Sequence, residues 1–497
     1  MERYILTLDQ GTTSSRALLV SAKGEVVGKA QKEFEQHFPK QGWVEHDADE
    51  IWTSQKEVML QVLKENAVSP SAIAAIGITN QRETTIAWNR ETGKPLGNAI
   101  VWQDKRTAKI CDQLRKNGHA EYIRSTTGLI VDAYFSASKM TWILQNYPEA
   151  EQLMQQGNLC MGTVDSWLIW NLTEGEAFVT DASNASRTML FDIHQMKWDQ
   201  TLLELFGVSA SALPEVKSSV DSFGTAKVGN VTIPITGVAG DQQAALFGQG
   251  CLQKGMVKNT YGTGCFMLMN TGNQAGNSAH GLISTIAWSM NGEVTYALEG
   301  SVFIAGAAIQ WLRDGLRVID EAPDSEYFAE QADNEEPVYV VPAFVGLGAP
   351  HWDMYARGAI FGLTRDTGKP EIVRATLESM AFQTRDVLDA MASDAAIPIH
   401  SLRVDGGASA NNFLMQFQAD VIQTNVNRPS NVESTALGAA FLAGIGVGMW
   451  TTADVGKFRS TDKIFQPRRT SAEIDRLYKG WKKAVNRTLG WLENEEE

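Results

Sequence analysis

The chain carries one local pattern twice, near its start and near its middle. Residues 4–16 form an apolar strand, a polar turn containing glycine and a second strand, and residues 256–269 repeat that order. The residues differ between the two copies, so the likeness lies in the structure that they predict. The chain has 497 residues, too many for one hydrophobic core. One such hairpin at the start of each half therefore predicts two related domains that face each other across a cleft.

Apolar runs of strand length alternate with helical patterns in the first half of the chain. Residues 73–79, 84–88 and 99–102 are predicted strands. A helix with one apolar face is predicted to start at Asp47, where Asp47 and Glu50 have the spacing of a capping box. This alternation predicts a mixed α/β architecture.

Composition and charge exclude several classes of function. The formal net charge of -15 repels the phosphates of nucleic acids, so we predict no nucleic-acid partner. The longest apolar stretch, residues 436–450, is shorter than the roughly 18 residues of a membrane-spanning helix, so we predict a buried helix and no membrane insertion. The N-terminus has no signal-peptide pattern and the cysteines have no paired spacing, which predicts a cytoplasmic protein. The acidic residues 493–497 are predicted to fray.

The glycine turns are suited to binding phosphate. A turn of Gly, Thr and Ser presents backbone N–H groups and hydroxyls without bulky side chains in the way. Asp9 starts the first turn and can hold a magnesium ion through water; the alternative is an ordinary polar hairpin with Asp9 in an Asx turn. No Gly-x-x-x-x-Gly-Lys-Ser/Thr sequence is present, which excludes the common P-loop.

A third glycine turn follows the predicted strand at 402–405 and precedes a helical pattern at 413–421. A strand, a Gly-Gly turn and a helix N-terminus form an arrangement in which a nucleotide can lie against the backbone. The alternative is a tight strand-to-helix turn with Asn411 or Asn412 as the N-cap of the helix.

These three segments resemble the two phosphate motifs and the adenosine motif of the actin-like ATPase fold. They are Asp-Gln-Gly-Thr-Thr-Ser-Ser-Arg at 9–16, Asn-Thr-Tyr-Gly-Thr-Gly at 259–264 and Asp-Gly-Gly-Ala at 405–408. Within that superfamily, residues 134–142 and 358–363 resemble the two signatures of the FGGY carbohydrate kinases. The similarity spans the whole chain in order.

The resemblance implies a fold, a cofactor and an assembly. It implies two ribonuclease-H-like domains, residues 1–248 on the glycerol and phosphate side and residues 249–497 on the nucleotide side, facing each other across a catalytic cleft. It implies ATP as phosphoryl donor and Mg²⁺ near Asp9 and Asp241. Members of the family commonly form dimers and tetramers, which predicts a homodimer or a homotetramer. The implied ATP contacts are Thr12, Thr13, Ser14, Arg16, Thr263, Gly306, Gln310, Gly407 and Asn411.

The acceptor side resembles that of family members that phosphorylate glycerol, whose hydroxyls need donors and acceptors beside an apolar wall. The implied reaction is the ATP-dependent phosphorylation of glycerol to sn-glycerol 3-phosphate, the first step of glycerol catabolism. By their local sequence alone, Arg82 and Glu83 are more often a surface pair and Trp102 is more often a core residue. The implied contacts are Arg82, Glu83, Trp102, Tyr134, Asp241, Gln242 and Phe266.

Asp241 follows an apolar strand and precedes Gln242. Its position favours an N-cap for a helix that begins at Gln242, whereas the resemblance implies that it is the general base. Two other functions stay open. One is an FGGY kinase that acts on a pentulose or a sugar acid, and the other is a non-catalytic or filament-forming actin relative that uses ATP for a conformational cycle.

Two regulatory features of some family members are missing from the sequence. Enteric relatives bind fructose 1,6-bisphosphate at a Gly-Gly-Thr-Arg loop, and the corresponding residues 226–231 here contain no arginine and one glycine. Some Gram-positive relatives carry a phosphorylated histidine shortly before the Gly-Asp-Gln-Gln segment, but this chain has no histidine between His194 and His280. We therefore predict that neither regulator acts on this protein.

Overall fold

The computed structural model describes residues 2–333 and 336–492, and the predicted acidic tail at 493–497 lies outside the described residues. The strands are β1 (Tyr4–Gln10), β2 (Ser14–Ser21), β3 (Val26–Glu33), β4 (Glu45–His46), β5 (Ile73–Asn80), β6 (Ile86–Asn89), β7 (Ala99–Ile100), β8 (Leu159–Gly162), β9 (Val179–Asp181), β10 (Phe191–Asp192), β11 (Lys197–Trp198), β12 (Glu215–Lys217), β13 (Thr225–Val228), β14 (Val231–Gly240), β15 (Val257–Tyr261), β16 (Cys265–Gly272), β17 (Ile283–Met290), β18 (Glu293–Val302), β19 (Tyr339–Val341), β20 (Ala359–Phe361), β21 (Leu402–Asp405), β22 (Val426–Pro429) and β23 (Thr461–Phe465). The α-helices are α1 (Ala48–Glu65), α2 (Ala108–Lys116), α3 (Ala120–Thr127), α4 (Ser136–Asn146), α5 (Pro148–Gln155), α6 (Val164–Leu172), α7 (Ala182–Ala185), α8 (Gln200–Phe206), α9 (Asp241–Gly248), α10 (Gly306–Gln310), α11 (Asp324–Gln331), α12 (Lys369–Ala395), α13 (Asn412–Ile422), α14 (Ser434–Gly446), α15 (Thr452–Phe458) and α16 (Ser471–Val485).

Two large sheets organise the fold, and the first contains six strands in the order β13-β14-β5-β1-β2-β3. β1 and β2 form the predicted hairpin, with Asp9 opposite Arg16. β1, β5 and β14 run parallel, and Gln10 and Gly240 both lie beside Asn80 in the register. Because parallel strands end at the same edge of a sheet, the segments that follow these three strands lie together.

The second sheet contains seven strands in the order β17-β18-β16-β15-β21-β22-β23. It repeats the plan of the first sheet, because β15 and β16 form the other predicted hairpin and β15 runs parallel to β21. The turns that follow β15 and β21 therefore lie at one edge of this sheet. Two sheets of one plan, each with helices packed on it, confirm the predicted α/β class with two sheet-containing halves.

The predictions for individual helices have different outcomes. α1 begins after Asp47, whose carboxylate accepts from the amides of Asp49 and Glu50, as expected of an N-cap. The predicted capping box also requires the Glu50 carboxylate to accept from the amide of Asp47, and this part of the prediction is wrong. The Glu50 carboxylate accepts from the amide of Glu35 instead. The apolar stretch that begins at Ala436 lies mostly in the buried helix α14, as predicted. Among the described residues, no helix combines the length and the apolar character needed to cross a bilayer.

Helix α14 belongs to the second half of the chain but packs on the first sheet, where it contacts β1, β5 and β14. A glycine makes room for it on β5, since a Cβ on Gly77 would stand 2.4 Å from the carbonyl oxygen of Ala439. α14 crosses α9 even more closely, since a Cβ on Gly438 would stand 1.8 Å from the carbonyl oxygen of Ala244. This packing fixes α9, which begins with Asp241, at the edge of the first sheet.

Candidate active site

The turn between β1 and β2 presents small polar side chains at the edge of the first sheet. The amide of Gly11 donates to the carbonyl oxygen of Ser14 (2.9 Å), which closes the turn. Thr12 is half-buried, Thr13 is exposed and Ser14 is buried. The hydroxyls and amides of this turn can therefore bind an anion.

Asp9 and Arg16 form an ion pair across the same hairpin. Arg16 Nη2 lies 2.6 Å from Asp9 Oδ2, and Arg16 Nη1 donates to Glu433 (3.1 Å). Burial raises the pKa of Asp9 to about 6; the Arg16 guanidinium opposes this shift, and the nearby carboxylates of Asp241 and Glu433 add to it. Asp9 lies near the end of β1 and Asp241 directly follows β14, and both strands flank β5 and end at the same edge of the sheet.

This pair of carboxylates fits a hydrated magnesium ion. Mg²⁺ keeps several waters and is usually held by one or two carboxylates together with substrate phosphates. Asp9 Oδ2 is buried and has no aligned hydrogen bond despite its ion pair with Arg16, so it remains available as an acceptor. No group of three or more His, Cys, Asp or Glu side chains among the described residues is arranged to enclose a metal, so direct protein ligands would be few.

The turn between β15 and β16 is the counterpart in the second sheet. The amide of Gly262 donates to the carbonyl oxygen of Gly264 (2.9 Å), and Thr263 is exposed between them. The start of α10 packs directly on this turn, because the amide of Gly306 donates to the Gly262 carbonyl oxygen (3.0 Å). A Cβ on Gly306 would stand 2.5 Å from that oxygen, so the close approach requires glycine.

The other predicted nucleotide contacts lie at the end of α10 and before α13. Gln310 is exposed at the end of α10, and Gly407 is exposed with open space where a Cβ would stand. Asn411 accepts from the amide of Leu414 (2.9 Å), so the predicted N-cap is confirmed. Its side-chain nitrogen donates to the hydroxyl of Ser325 (3.2 Å), which links α13 to α11.

Three aromatic side chains from both halves of the chain form one apolar wall. The ring of Trp102 makes edge-to-face contacts with Tyr134 (centroids 5.6 Å apart) and with Phe266 (6.4 Å). The indole N–H of Trp102 donates to the hydroxyl of Thr12 (3.0 Å). Trp102 is half-buried at this wall rather than in the core, and the wall adjoins the turn between β1 and β2.

Arg82 is 3% exposed, so the surface pair favoured by its local sequence is wrong. Its Nε lies 3.1 Å from Asp241 Oδ1. Its Nη1 donates to Glu299 Oε2 (2.5 Å) and to the side-chain oxygen of Gln243 (3.2 Å). Its Nη2 lies 3.5 Å from the hydroxyl of Tyr134. The guanidinium is therefore buried in a set of acceptors that also borders the aromatic wall.

Glu83 is buried beside it, with a backbone φ of 60° in the left-handed region. Its Oε1 accepts from Arg187 Nε (2.7 Å), while Oε2 accepts no hydrogen bond from the described residues. One carboxylate oxygen is therefore free to accept from a hydroxyl group of a ligand.

Asp241 is the first residue of α9, and the N-cap position belongs to Gly240 without any side-chain bond. The predicted N-cap role of Asp241 is therefore wrong. Its Oδ1 accepts from the amide of Gln242 (2.7 Å) and its Oδ2 from the Gln242 side chain (3.3 Å). With 32% of its side chain exposed, Asp241 can accept a proton from a hydroxyl in the cleft.

Three charged residues that contact the candidate site residues were missed by sequence reasoning: Arg187, Glu299 and Lys258 are all fully buried. The ammonium group of Lys258 donates to the side-chain oxygen of Gln242 and to the hydroxyl of Thr260, and burial lowers the pKa of Lys258 to about 8. Charged side chains are seldom fully buried, and no spacing in the sequence marks these three as exceptions.

Family models match both halves of the chain. The N-terminal domain model of the FGGY family of carbohydrate kinases matches residues 4–248, and the C-terminal domain model matches residues 257–447.

Individual relatives match over nearly the full length. The glycerol kinase of Natranaerobius thermophilus is 58% identical over 494 residues, which cover 99% of this chain and 99% of that protein. The glycerol kinase of Halorhodospira halophila is 58% identical over 493 residues, which cover 99% and 97%. Among solved structures, Plasmodium falciparum glycerol kinase with ADP has a TM-score of 0.93 at 40% identity and covers 98% of both chains. The gluconate kinase from Lactobacillus acidophilus covers 98% of both chains with a TM-score of 0.88, and at 22% identity it shows the shared fold alone.

Proposed function

Because the chain belongs to the FGGY family of carbohydrate kinases, we propose that it transfers the γ-phosphoryl group of ATP to a terminal hydroxyl of glycerol, giving sn-glycerol 3-phosphate and ADP. The glycerol kinases at 58% identity support glycerol as the acceptor. The structural observation that carries the proposal is the cluster of Arg82, Asp241 and Glu83, which meets the aromatic wall where Arg82 Nη2 lies 3.5 Å from the Tyr134 hydroxyl. A three-carbon polyol needs this combination of hydroxyl partners and apolar surface.

Asp241 is the general base of the proposed reaction. Its carboxylate takes the proton of the attacking hydroxyl, whose oxygen bonds to the γ-phosphorus while the bond between that phosphorus and the β–γ bridging oxygen breaks. Arg82 and the free Oε2 of Glu83 bind the other hydroxyls, and Gln242 contacts the same ligand. Trp102 and Phe266 cover the carbon chain, with the Tyr134 ring beside them.

The two glycine turns hold the phosphates on opposite sides of the cleft. Thr12, Thr13, Ser14 and Arg16 act from the first sheet and Thr263 from the second, while the nucleoside lies against Gly306, Gln310, Gly407 and Asn411. Asp9 and Asp241 would hold a magnesium ion through water, and that ion would supply neutralisation of the negative charge on the phosphates. Closure of the cleft excludes water, which otherwise competes with glycerol for the phosphoryl group.

A coupled assay of ADP release tests the acceptor, with glycerol, xylulose, ribulose, gluconate or no acceptor at equal concentrations. We expect glycerol to give the fastest turnover and the product to be oxidised by a dehydrogenase specific for sn-glycerol 3-phosphate. Faster turnover of a pentulose or of gluconate would assign the protein to another branch of the family. ADP release that ignores the acceptor would instead favour an ATP-driven conformational cycle.

The setting of the enzyme is proposed from the family resemblance alone. We expect a cytoplasmic protein that assembles as a homodimer or a homotetramer. Sedimentation velocity of the purified chain distinguishes these two states from a monomer.

A further inference from the structure

Four charged side chains are buried together behind the acceptor pocket. Arg82, Glu83, Arg187 and Glu299 each have at most 3% of their surface exposed. Glu299 accepts from both arginines: Arg82 Nη1 lies 2.5 Å from its Oε2, while Arg82 Nη2 (3.2 Å) and Arg187 Nη2 (2.9 Å) donate to its Oε1. Arg187 also donates through Nε to Glu83 Oε1 (2.7 Å). We name these four residues the buried tetrad.

The buried tetrad has no net charge, since its two guanidinium groups face two carboxylates. Burial alone would raise the pKa of Glu299, but Arg187 and Arg82 outweigh it and hold that pKa at about 2. The two arginines therefore favour the ionised form of Glu299. Removing one charge would leave a buried partner uncompensated, so the arrangement depends on all four members.

We propose that Glu299 and Arg187 are positioning residues for the acceptor site. Glu299 binds the flat guanidinium of Arg82 with both oxygens, which fixes its rotation and leaves Nε directed to Asp241 and Nη2 near Tyr134. Arg187 occupies one oxygen of Glu83 and leaves the other for a ligand hydroxyl. This inference rests on the proposed function, because it concerns how Arg82 and Glu83 bind the acceptor.

The packing around Arg187 supports this role. Its guanidinium carbon lies 5.3 Å from the ring centre of Phe135 and 5.8 Å from that of Tyr134, so aromatic surface holds it in place beside the wall of the pocket. Glu299 lies on β18 of the second sheet, whereas the other three members belong to the first half of the chain. The second half of the molecule therefore sets the geometry of an acceptor pocket whose hydroxyl partners come from the first half.

Glu299→Gln tests the proposal because it keeps the size of the side chain and removes its charge. We expect KM for glycerol to rise by about 10–100-fold, with a smaller loss of kcat and with KM for ATP within about twofold of wild type. Glu299→Asp keeps the charge and is expected to recover part of the glycerol affinity. Arg187→Lys keeps the charge but loses the fork that binds Glu83 and Glu299 together, and is expected to raise KM for glycerol as well.

Glu378→Gln is the matched control, since Glu378 is also a buried glutamate paired with an arginine (Arg374, 2.9 Å) but lies outside the buried tetrad. It is expected to alter stability without changing KM for glycerol. Equal rises in the KM values for ATP and glycerol in Glu299→Gln, or a KM for glycerol that matches the control, would overturn the proposal. If Glu299→Gln does not fold, the KM values of Glu299→Asp and Arg187→Lys for glycerol and for ATP test the proposal in the same way.

The proposed function is tested separately by the acceptor panel with the wild-type enzyme. If the wild-type enzyme prefers another acceptor, the proposal of glycerol phosphorylation is wrong. The effect of Glu299→Gln on the KM for that preferred acceptor still tests whether the buried tetrad positions Arg82.

Discussion

At Asp241, replacing one carboxylate oxygen by an amide nitrogen tests the proposed catalytic role separately from any structural role. Asp241→Asn keeps the size of the side chain but removes the basic oxygen, so kcat is expected to fall by about 10²–10⁴-fold. Thermal stability should change little, because Asp241 makes no N-cap bond. Steady-state kinetics with a melting curve measures both. Activity within about threefold of wild type would remove Asp241 from the role of base.

Asp165 is a buried carboxylate whose partners are hydroxyl groups rather than cations. Thr163 donates to its Oδ1 (2.5 Å) and Thr180 to its Oδ2 (2.6 Å). Burial, with a smaller effect of nearby Asp181, raises the pKa of Asp165 to about 6. The unfolded chain has a lower value, about 3.9. The folded protein therefore favours the protonated form, and the stability from this group is present below about pH 4 and lost as the pH rises through about 6.

Asp165→Asn is therefore expected to stabilise the protein at about pH 8 by about 2 kcal/mol, because it removes a buried charge and keeps the shape. Near pH 4.5 the difference should nearly vanish, since the wild-type carboxyl group is then mostly protonated. Urea unfolding at several pH values measures the effect. A variant that is less stable than wild type by the same amount at all pH values would contradict this account.

The residues proposed for the acceptor site follow from the resemblance and not from their local sequence. Arg82 and Glu83 have the pattern of a surface pair, yet their buried partners lie far away in the chain: Arg187 is 104 residues from Glu83, and Glu299 is 217 residues from Arg82. Only the parallel register and the contact between the two halves bring these groups together. A single sequence carries no periodic signal for such a contact.

The repeated hairpins and the long apolar helix were predictable because each follows from a local pattern. Short elements were less predictable from local patterns. Residues 84–88 were predicted as a strand, whereas β6 runs from Ile86 to Asn89. The left-handed backbone at Glu83 turns the chain before this strand begins, and Thr84 bonds to Gln81 and to the amide of Trp102 instead. Tertiary contacts at the site therefore override the strand propensity of Thr84.

The close crossing of α14 and α9 depends on a glycine, so a substitution that adds one methyl group tests it. A Cβ on Gly438 would stand 1.8 Å from the backbone of Ala244, whereas a Cβ on Gly456 in α15 would meet no atom within 4 Å. Gly438→Ala is expected to destabilise the protein by about 1–3 kcal/mol, because the two helices must move apart. Gly456→Ala is the control and should be neutral or slightly stabilising. Equal unfolding midpoints for the two variants in urea would contradict the close crossing.

Residues 226–231 form the β13–β14 hairpin, in which Ala226 and Val228 pair with β14. Lys227 is exposed and ion-paired with Glu174, so the hairpin presents neither an arginine fork nor a run of glycine amides to a phosphate. Millimolar fructose 1,6-bisphosphate is therefore expected to leave the initial rate unchanged at fixed ionic strength and free Mg²⁺. Dose-dependent inhibition under these conditions would show that a phosphate site exists here or nearby.

Direct contacts between their elements join the two halves of the molecule. Glu299 of β18 completes the buried tetrad of the first half. The hydroxyl of Tyr296, on the same strand, donates to the carbonyl oxygen of Ile193 (2.8 Å). Helix α14, which belongs to the second half of the chain, packs on the first sheet. Both halves therefore contribute to the proposed acceptor site, and each half covers apolar or charged groups of the other.

This exchange of elements predicts how the whole molecule unfolds. A fragment of residues 1–248 has the predicted boundary of the first domain but lacks α14, which packs on β1, β5 and β14, and lacks Glu299, which balances Arg82 and Arg187. We expect this fragment to be insoluble or to unfold without cooperativity, and we expect the full chain to unfold in one calorimetric transition. Supplying residues 249–497 as a second chain should restore soluble protein, because it returns both α14 and β18. A soluble 1–248 fragment with a sharp transition of its own would show instead that the boundary at 248 separates independent folding units, and that α14 adds contact without being required.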